Sequence, residues 1–160
     1  MNNQQIHLVS RPDGEARADR KMRVEHGKAV RVVQRQVQDA ATALVRHDFH
    51  RGMLAESVAR TERLLALEPP PSATLVQLLK GAGTLALRQG RNDLARRWFE
   101  RGQVIAGDLN DEALRGELLR HLGNLAYRAG DYDTALQHYE QALASARSSN
   151  QAAAQAHARV

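Results

Sequence analysis

The residues of this chain that could do chemistry are few, and each also has a structural explanation. His47 and His50 lie three positions apart, so on a helix they could offer two nitrogens to a metal ion. No third ligand is evident, and we expect a polar helix face there. Asp131 and Asp133 could act as an acid and base pair, but both fall in a predicted turn, where aspartate caps helices. Residues 81–83, Gly-Ala-Gly, lack the preceding strand and the following Gly-Lys-Ser/Thr of a phosphate loop.

Composition excludes several other kinds of site. The sequence contains no cysteine, which removes disulfides, thiolate catalysis and cysteine-ligated zinc. The first 20 residues contain no sustained apolar run, so neither a signal peptide nor a membrane span is predicted, and the cytoplasm is the default compartment. We therefore expect no cofactor, no metal and no enzymatic activity.

Helices must position whatever site the chain has. Of its 160 residues 42% are apolar but only 4% are aromatic, and a core of alanine and leucine suits closely packed helices. Glycines at 52, 90 and 130 each follow a predicted helix, where a left-handed residue closes a turn without a Cβ clash. Ser72 and either Asn110 or Asp111 are predicted N-caps. The pattern predicts an all-α chain of three antiparallel helical hairpins at about 29–70, 72–107 and 110–147.

The two ends of the chain differ from this pattern. Residues 1–28 lack an apolar stripe and are expected to form a basic, polar tail, either disordered or loosely helical. At the other end, Ser148, Ser149 and Asn150 are predicted to break the chain before a short alanine-rich helix over 150–160. That helix would either cap the array or begin a fourth unit.

The net charge of +5 is compatible with acidic partners or with nucleic acid. Basic residues concentrate in and just after the N-terminal tail: Arg17, Arg20, Lys21, Arg23, Lys28, Arg31 and Arg35. Acidic residues interrupt this set and no aromatic side chain lies among it, so direct binding of nucleic acid is the less favoured interpretation.

Residues 122–143, LGNLAYRAGDYDTALQHYEQAL, resemble the tetratricopeptide repeat. The resemblance rests on Leu122-Gly123, the Gly130-Asp131-Tyr132 turn, and Ala135, Tyr139 and Ala142. Leu119 replaces the opening tryptophan of the family pattern, and Arg147 replaces its closing proline. The pattern recurs 40 residues earlier and, more weakly, 38 residues before that, so three copies cover about residues 30–147. The resemblance implies a superhelical solenoid of antiparallel helix pairs with a short C-terminal capping helix.

In this family the first helices of the repeats line a concave groove. Carried over to this chain, the groove positions are Arg46, His50, Lys80, Thr84, Leu87, Arg88, Glu117, Arg120, Asn124, Tyr127 and Arg128. Family members that hold a terminal carboxylate use a basic residue and an asparagine one helical turn apart, a spacing that Arg120 and Asn124 reproduce. Solvated charges on helix faces remain the alternative explanation for this set.

The resemblance implies a non-enzymatic module that binds a peptide or helix of another protein, as an adaptor, scaffold or chaperone. One alternative is the sensor or oligomerisation part of a larger bacterial regulator. Another is a nucleic-acid-associated protein that uses its basic N-terminal segment. Apolar surface at the ends of the array could also support a homo-oligomer.

Overall fold

The computed structural model describes residues 13–46 and 54–157, which form six α-helices and no strand. The helices are α1 (Asp13–Arg46), α2 (Leu54–Leu65), α3 (Ala73–Arg88), α4 (Asn92–Asp108), α5 (Glu112–Arg128) and α6 (Tyr132–His157). From α3 to α6 each helix packs against the next along the chain. The described residues are therefore an all-α helical repeat array, as the sequence predicts.

The turns that close the α3/α4 and α5/α6 hairpins have the same backbone geometry. Gly90 and Gly130 have φ of 74° and 82°, in the left-handed region where a side chain is strained. After each glycine, the next backbone N–H donates to a carbonyl five residues back: Arg91 to Ala86 at 2.9 Å and Asp131 to Ala126 at 3.0 Å. These bonds satisfy carbonyl groups at the end of the first helix. The third predicted turn glycine, Gly52, lies outside the described residues.

Within each hairpin a glycine on the first helix faces an aromatic ring on the second. A Cβ added at Gly123 would lie 2.6 Å from Cε1 of Tyr139, and one added at Gly83 would overlap the ring of Phe99. The missing side chains thus make room for the rings and let the helices approach closely. Ala95 and Ala135, one turn before the two rings, are buried.

The two hairpins stack through α4 and α5. Leu118 of α5 lies over Gly102 of α4, where a Cβ would be 3.0 Å from its Cδ1. Asn110, at φ 55°, lies in the short connection after α4, and the Asp111 side chain accepts a 3.0 Å hydrogen bond from the Leu114 N–H. Asp111 is therefore the N-cap of α5.

The first predicted unit packs differently from the other two. The buried residues of α1, Val37, Ala40 and Ala41, lie on a helix that packs more extensively on α3 than on α2. A 3.1 Å hydrogen bond from Thr74 to Gln38 also joins α3 to α1. Where the later units have an aromatic ring, α2 has Thr61, which is buried and bonds back to the Ser57 carbonyl oxygen. Without a ring to fill the joint, α1 and α2 form a looser pair than α3 and α4.

Both ends of the array extend helices that the sequence predicts to be shorter. The first helix is predicted from about Ala29, but α1 begins at Asp13, so residues 13–28 of the expected tail are helical. The expected break at Ser148–Asn150 is wrong, because α6 continues through these residues to His157. No separate capping helix exists within the described residues. The physical reason is that Gln151 stands where Asp111 caps α5, and glutamine is not a favoured N-cap.

Candidate functional site

Nine of the predicted groove positions lie on α3 and α5. We call them the groove face: Lys80, Thr84, Leu87 and Arg88 of α3, with Glu117, Arg120, Asn124, Tyr127 and Arg128 of α5. The other two positions are not among the described side chains. Arg46 ends α1, and His50 lies outside the described residues.

An ion pair between Lys80 and Glu117 joins the two halves of the groove face. The pair spans α3 and α5, and the two side chains are 24% and 47% exposed. Such half-exposed pairs contribute only about 0.2–1 kcal/mol to stability. Its larger effect is on charge, because Glu117 neutralises Lys80 and leaves the arginines of the face to supply its positive potential.

Asn124 is held in place by the second helix of its own hairpin. The Tyr139 hydroxyl donates a 2.7 Å hydrogen bond to Oδ1 of Asn124. This bond uses the carbonyl end of the amide, while the Nδ2 donors are not consumed by it. Arg120 lies one turn earlier on α5 and is exposed. Two donor groups of the kind that bind a carboxylate therefore lie on one side of α5.

The comparison with known families decides what this array is. The sequence model of the tetratricopeptide repeat family matches residues 72–148, which run from the N-cap of α3 into α6. Residues 72–148 belong to the tetratricopeptide repeat family. The match covers the second and third predicted units, and the first unit stays a prediction. A search of the curated proteins found no match to the chain.

Tetratricopeptide repeats generally mediate contacts between proteins and are typically non-enzymatic. Within the described residues no group of three or more histidine, cysteine, aspartate or glutamate side chains could hold a metal ion. Asp131 caps the following helix, as the sequence predicts, since its Oδ1 accepts a 3.1 Å hydrogen bond from the Thr134 N–H. Bonds to Thr134 lower the pKa of Asp131, as expected for a cap. His47 and His50 lie outside the described residues.

Three other members of the groove face have local structural contacts. Thr84 donates a 3.0 Å hydrogen bond to the carbonyl oxygen of Lys80, and Leu87 packs partly buried against the core. Tyr127 is 59% exposed and meets Tyr132 edge to face, with ring centroids 5.4 Å apart. An exposed aromatic pair thus borders the groove face of the second tetratricopeptide repeat.

The sequence pattern does not predict a role for His121, which lies between the two tetratricopeptide repeats. Its ring stacks on Phe99 of α4 with centroids 4.9 Å apart and planes 15° from parallel. Burial lowers the pKa of His121, and the positive charges of Arg120 and Lys80 lower it further, against the opposing effect of Glu117. The signal available in the sequence was a histidine that lies beside Arg120 among Leu118, Leu119 and Leu122.

Core packing and ion pairs account for other prominent side chains of the described residues. Trp98 is 5% exposed and belongs to the core. In the N-terminal part of α1, Arg23 pairs with Asp19 and Lys28 with Glu25, which reduces the positive potential of that segment. No helix in the described parts of the chain is long and apolar enough to cross a membrane.

Proposed function

We propose that the chain is a non-enzymatic binding module whose groove face holds an acidic peptide or helix of a partner protein. An adaptor, a scaffold and a chaperone all use such a module. The observation that carries the proposal is the Lys80–Glu117 ion pair, because it makes the first helices of both matched repeats one continuous face. A face that is already assembled need not be ordered when a ligand binds.

Charge favours an acidic ligand. The groove face contains four basic residues, Lys80, Arg88, Arg120 and Arg128, and one acidic residue, Glu117. A peptide that carries carboxylates gains charge-assisted hydrogen bonds at such a face, each about 1.5–3 kcal/mol. Since Lys80 is already paired, we assign the principal carboxylate contact to Arg120, with the Nδ2 donors of Asn124 beside it.

The test is a fluorescence-anisotropy titration of the full chain with a labelled acidic peptide that has a free C-terminal carboxylate. Arg120→Glu is expected to weaken binding by about tenfold or more, since it removes one charge-assisted contact and adds repulsion. Arg97→Glu is the matched control, because Arg97 is an exposed arginine of α4 outside the groove face. It makes the same change in net charge and is expected to leave binding nearly unchanged.

Asn124→Asp separates a direct contact from a structural role. Aspartate keeps an oxygen acceptor for the Tyr139 hydroxyl but replaces the amide donors with a negative charge. We expect weaker peptide binding with unchanged thermal stability. Equal loss of affinity in the Arg120→Glu and Arg97→Glu variants would show only general electrostatic attraction and would refute the groove face as the site.

A further inference from the structure

The outer side of α6 carries an apolar row that the described residues leave exposed. Tyr132, Leu136 and Leu143 are 65%, 58% and 52% exposed and follow one side of the helix. Beside them a groove of about 470 Å³ runs between α5 and α6, and Tyr139, Ala142 and Ala146 are among its lining residues. We call this row and groove the end face. Large apolar side chains gathered on one exposed face usually mark an interaction surface.

The apolar row of the end face is more apolar than the equivalent positions of α4. The residues of α4 that lie 40 positions before Tyr132, Leu136 and Leu143 are polar: Asn92, Arg96 and Gln103. Asn92 is exposed, and Arg96 and Gln103 are half-buried. The apolar row of α6 therefore has no equivalent on α4, as expected of a surface with a partner of its own.

A following helix placed as α5 is placed on α4 does not fit the course of α6. The chain leaves α4 at Asn110, which is left-handed, and Asp111 then caps α5. The equivalent residues after 40 positions, Asn150 and Gln151, are both inside α6, which continues to His157. The connection that places α5 on α4 is therefore absent at the corresponding point of α6.

We propose that a second copy of this chain covers the end face, through antiparallel pairing of two α6 helices about a two-fold axis near Leu143. The α4 and α5 helices also pack antiparallel to each other. A 26-residue helix is about 39 Å long, and Leu143 lies near its middle. In this register Leu136 and Glu140 of each copy lie opposite the groove-lining residues Asn150 and Ala146 of the other.

Charge complementarity favours this occupant. Glu140 and Arg147 lie on opposite sides of Leu143, three and four residues away, and both are exposed. In an antiparallel pair centred there, Glu140 of each copy lies within about one residue of Arg147 of the other, or about 1.5 Å along the axis. Neither residue forms an ion pair within the described chain. The symmetry makes this contact twice, as expected of a self-complementary interface.

Sedimentation velocity on the full chain across a wide range of concentration tests the proposal. We expect a reversible species of twice the chain mass. Leu143→Glu places two like charges at the two-fold axis and is expected to raise the dimer Kd by more than about tenfold. Val104→Glu is the matched control, since Val104 of α4 is 54% exposed and is not part of the end face. It is expected to leave the Kd unchanged.

Charge reversal tests the register of the pair. Glu140→Arg and Arg147→Glu alone each place like charges opposite one another and are expected to weaken the dimer, whereas the double reversal restores it. A chain that stays monomeric at its highest concentration would overturn the proposal. A dimer that is unaffected by Leu143→Glu, or that the double reversal does not rescue, would also overturn it. Glu117 and Arg120 of the groove face also line this groove. The peptide titration is therefore repeated with the Leu143→Glu variant, so that loss of the dimer and loss of peptide binding are measured separately.

Discussion

Tyr139 fixes two neighbouring positions of α5 at once. Its ring occupies the space left by the missing side chain of Gly123, and its hydroxyl donates a 2.7 Å hydrogen bond to Oδ1 of Asn124. The first contact sets the distance between α5 and α6, and the second sets the orientation of an amide on the groove face. The packing of this repeat and the geometry of its proposed binding residue therefore depend on the same side chain.

Gly123→Ala is expected to destabilise the chain by about 1–3 kcal/mol, because the new Cβ would lie 2.6 Å from the Tyr139 ring. Urea unfolding measures the change. Gly107→Ala is the control, since its Cβ would meet nothing closer than 3.8 Å, and alanine in a helix is up to about 1 kcal/mol better than glycine. Equal effects of the two substitutions would contradict the close approach of α5 and α6.

Gly130→Ala tests backbone strain without steric overlap. A Cβ at Gly130 would have no neighbour within 4 Å, but φ is 82°. The left-handed conformation costs a residue with a side chain roughly 1–2 kcal/mol, so the free energy of unfolding should fall by about that amount. Gly130→Asn should cost less, because asparagine tolerates this region. The turn assignment fails if alanine is as stable as glycine in urea denaturation.

The sequence does not predict which ion pairs form between distant helices. The turn glycines Gly90 and Gly130 and the cap Ser72 are local signals that the sequence predicts correctly, and Asp111 is one of its two alternatives for the next cap. Lys80 and Glu117 meet only because α3 and α5 adjoin, which depends on packing rather than on spacing. Interpreting Lys80 as an unpaired groove charge therefore overestimates the positive potential of the face.

The position at which a helix ends is the second feature that the sequence does not predict. Ser148, Ser149 and Asn150 are residues that favour caps and turns, yet they lie inside α6. A helix ends there only if the next residues supply a left-handed turn and a new cap, as Asn110 and Asp111 do after α4. Composition alone does not distinguish a helix that ends at such residues from one that continues through them.

His121 is expected to make stability depend on pH. Burial and nearby Arg120 and Lys80 hold its pKa below 6.5, so the unfolded chain binds more protons than the folded chain as the pH falls. The contribution of His121 to the free energy of unfolding is full above pH 6.5 and is lost as the pH falls through that value towards the folded-state pKa. Chemical denaturation between about pH 7 and pH 5 measures it.

The His121→Phe variant tests whether His121 causes this pH dependence of stability. Phenylalanine retains a ring to stack on Phe99 but does not titrate. The free energy of unfolding of the variant should change less between about pH 7 and pH 5 than that of the unmodified chain. Unchanged pH dependence would show that other groups are responsible.

The most direct test of the central claim is to map where an acidic peptide binds, by titrating it into the ¹⁵N-labelled chain and following backbone amide shifts. The account predicts that the largest changes cluster in α5 between Glu117 and Arg128 and in α3 between Lys80 and Arg88. It also predicts small changes at Arg97 and Val104 of α4. Shifts concentrated on the outer side of α4, or no saturable shifts at all, would contradict the claim that the groove face binds a partner.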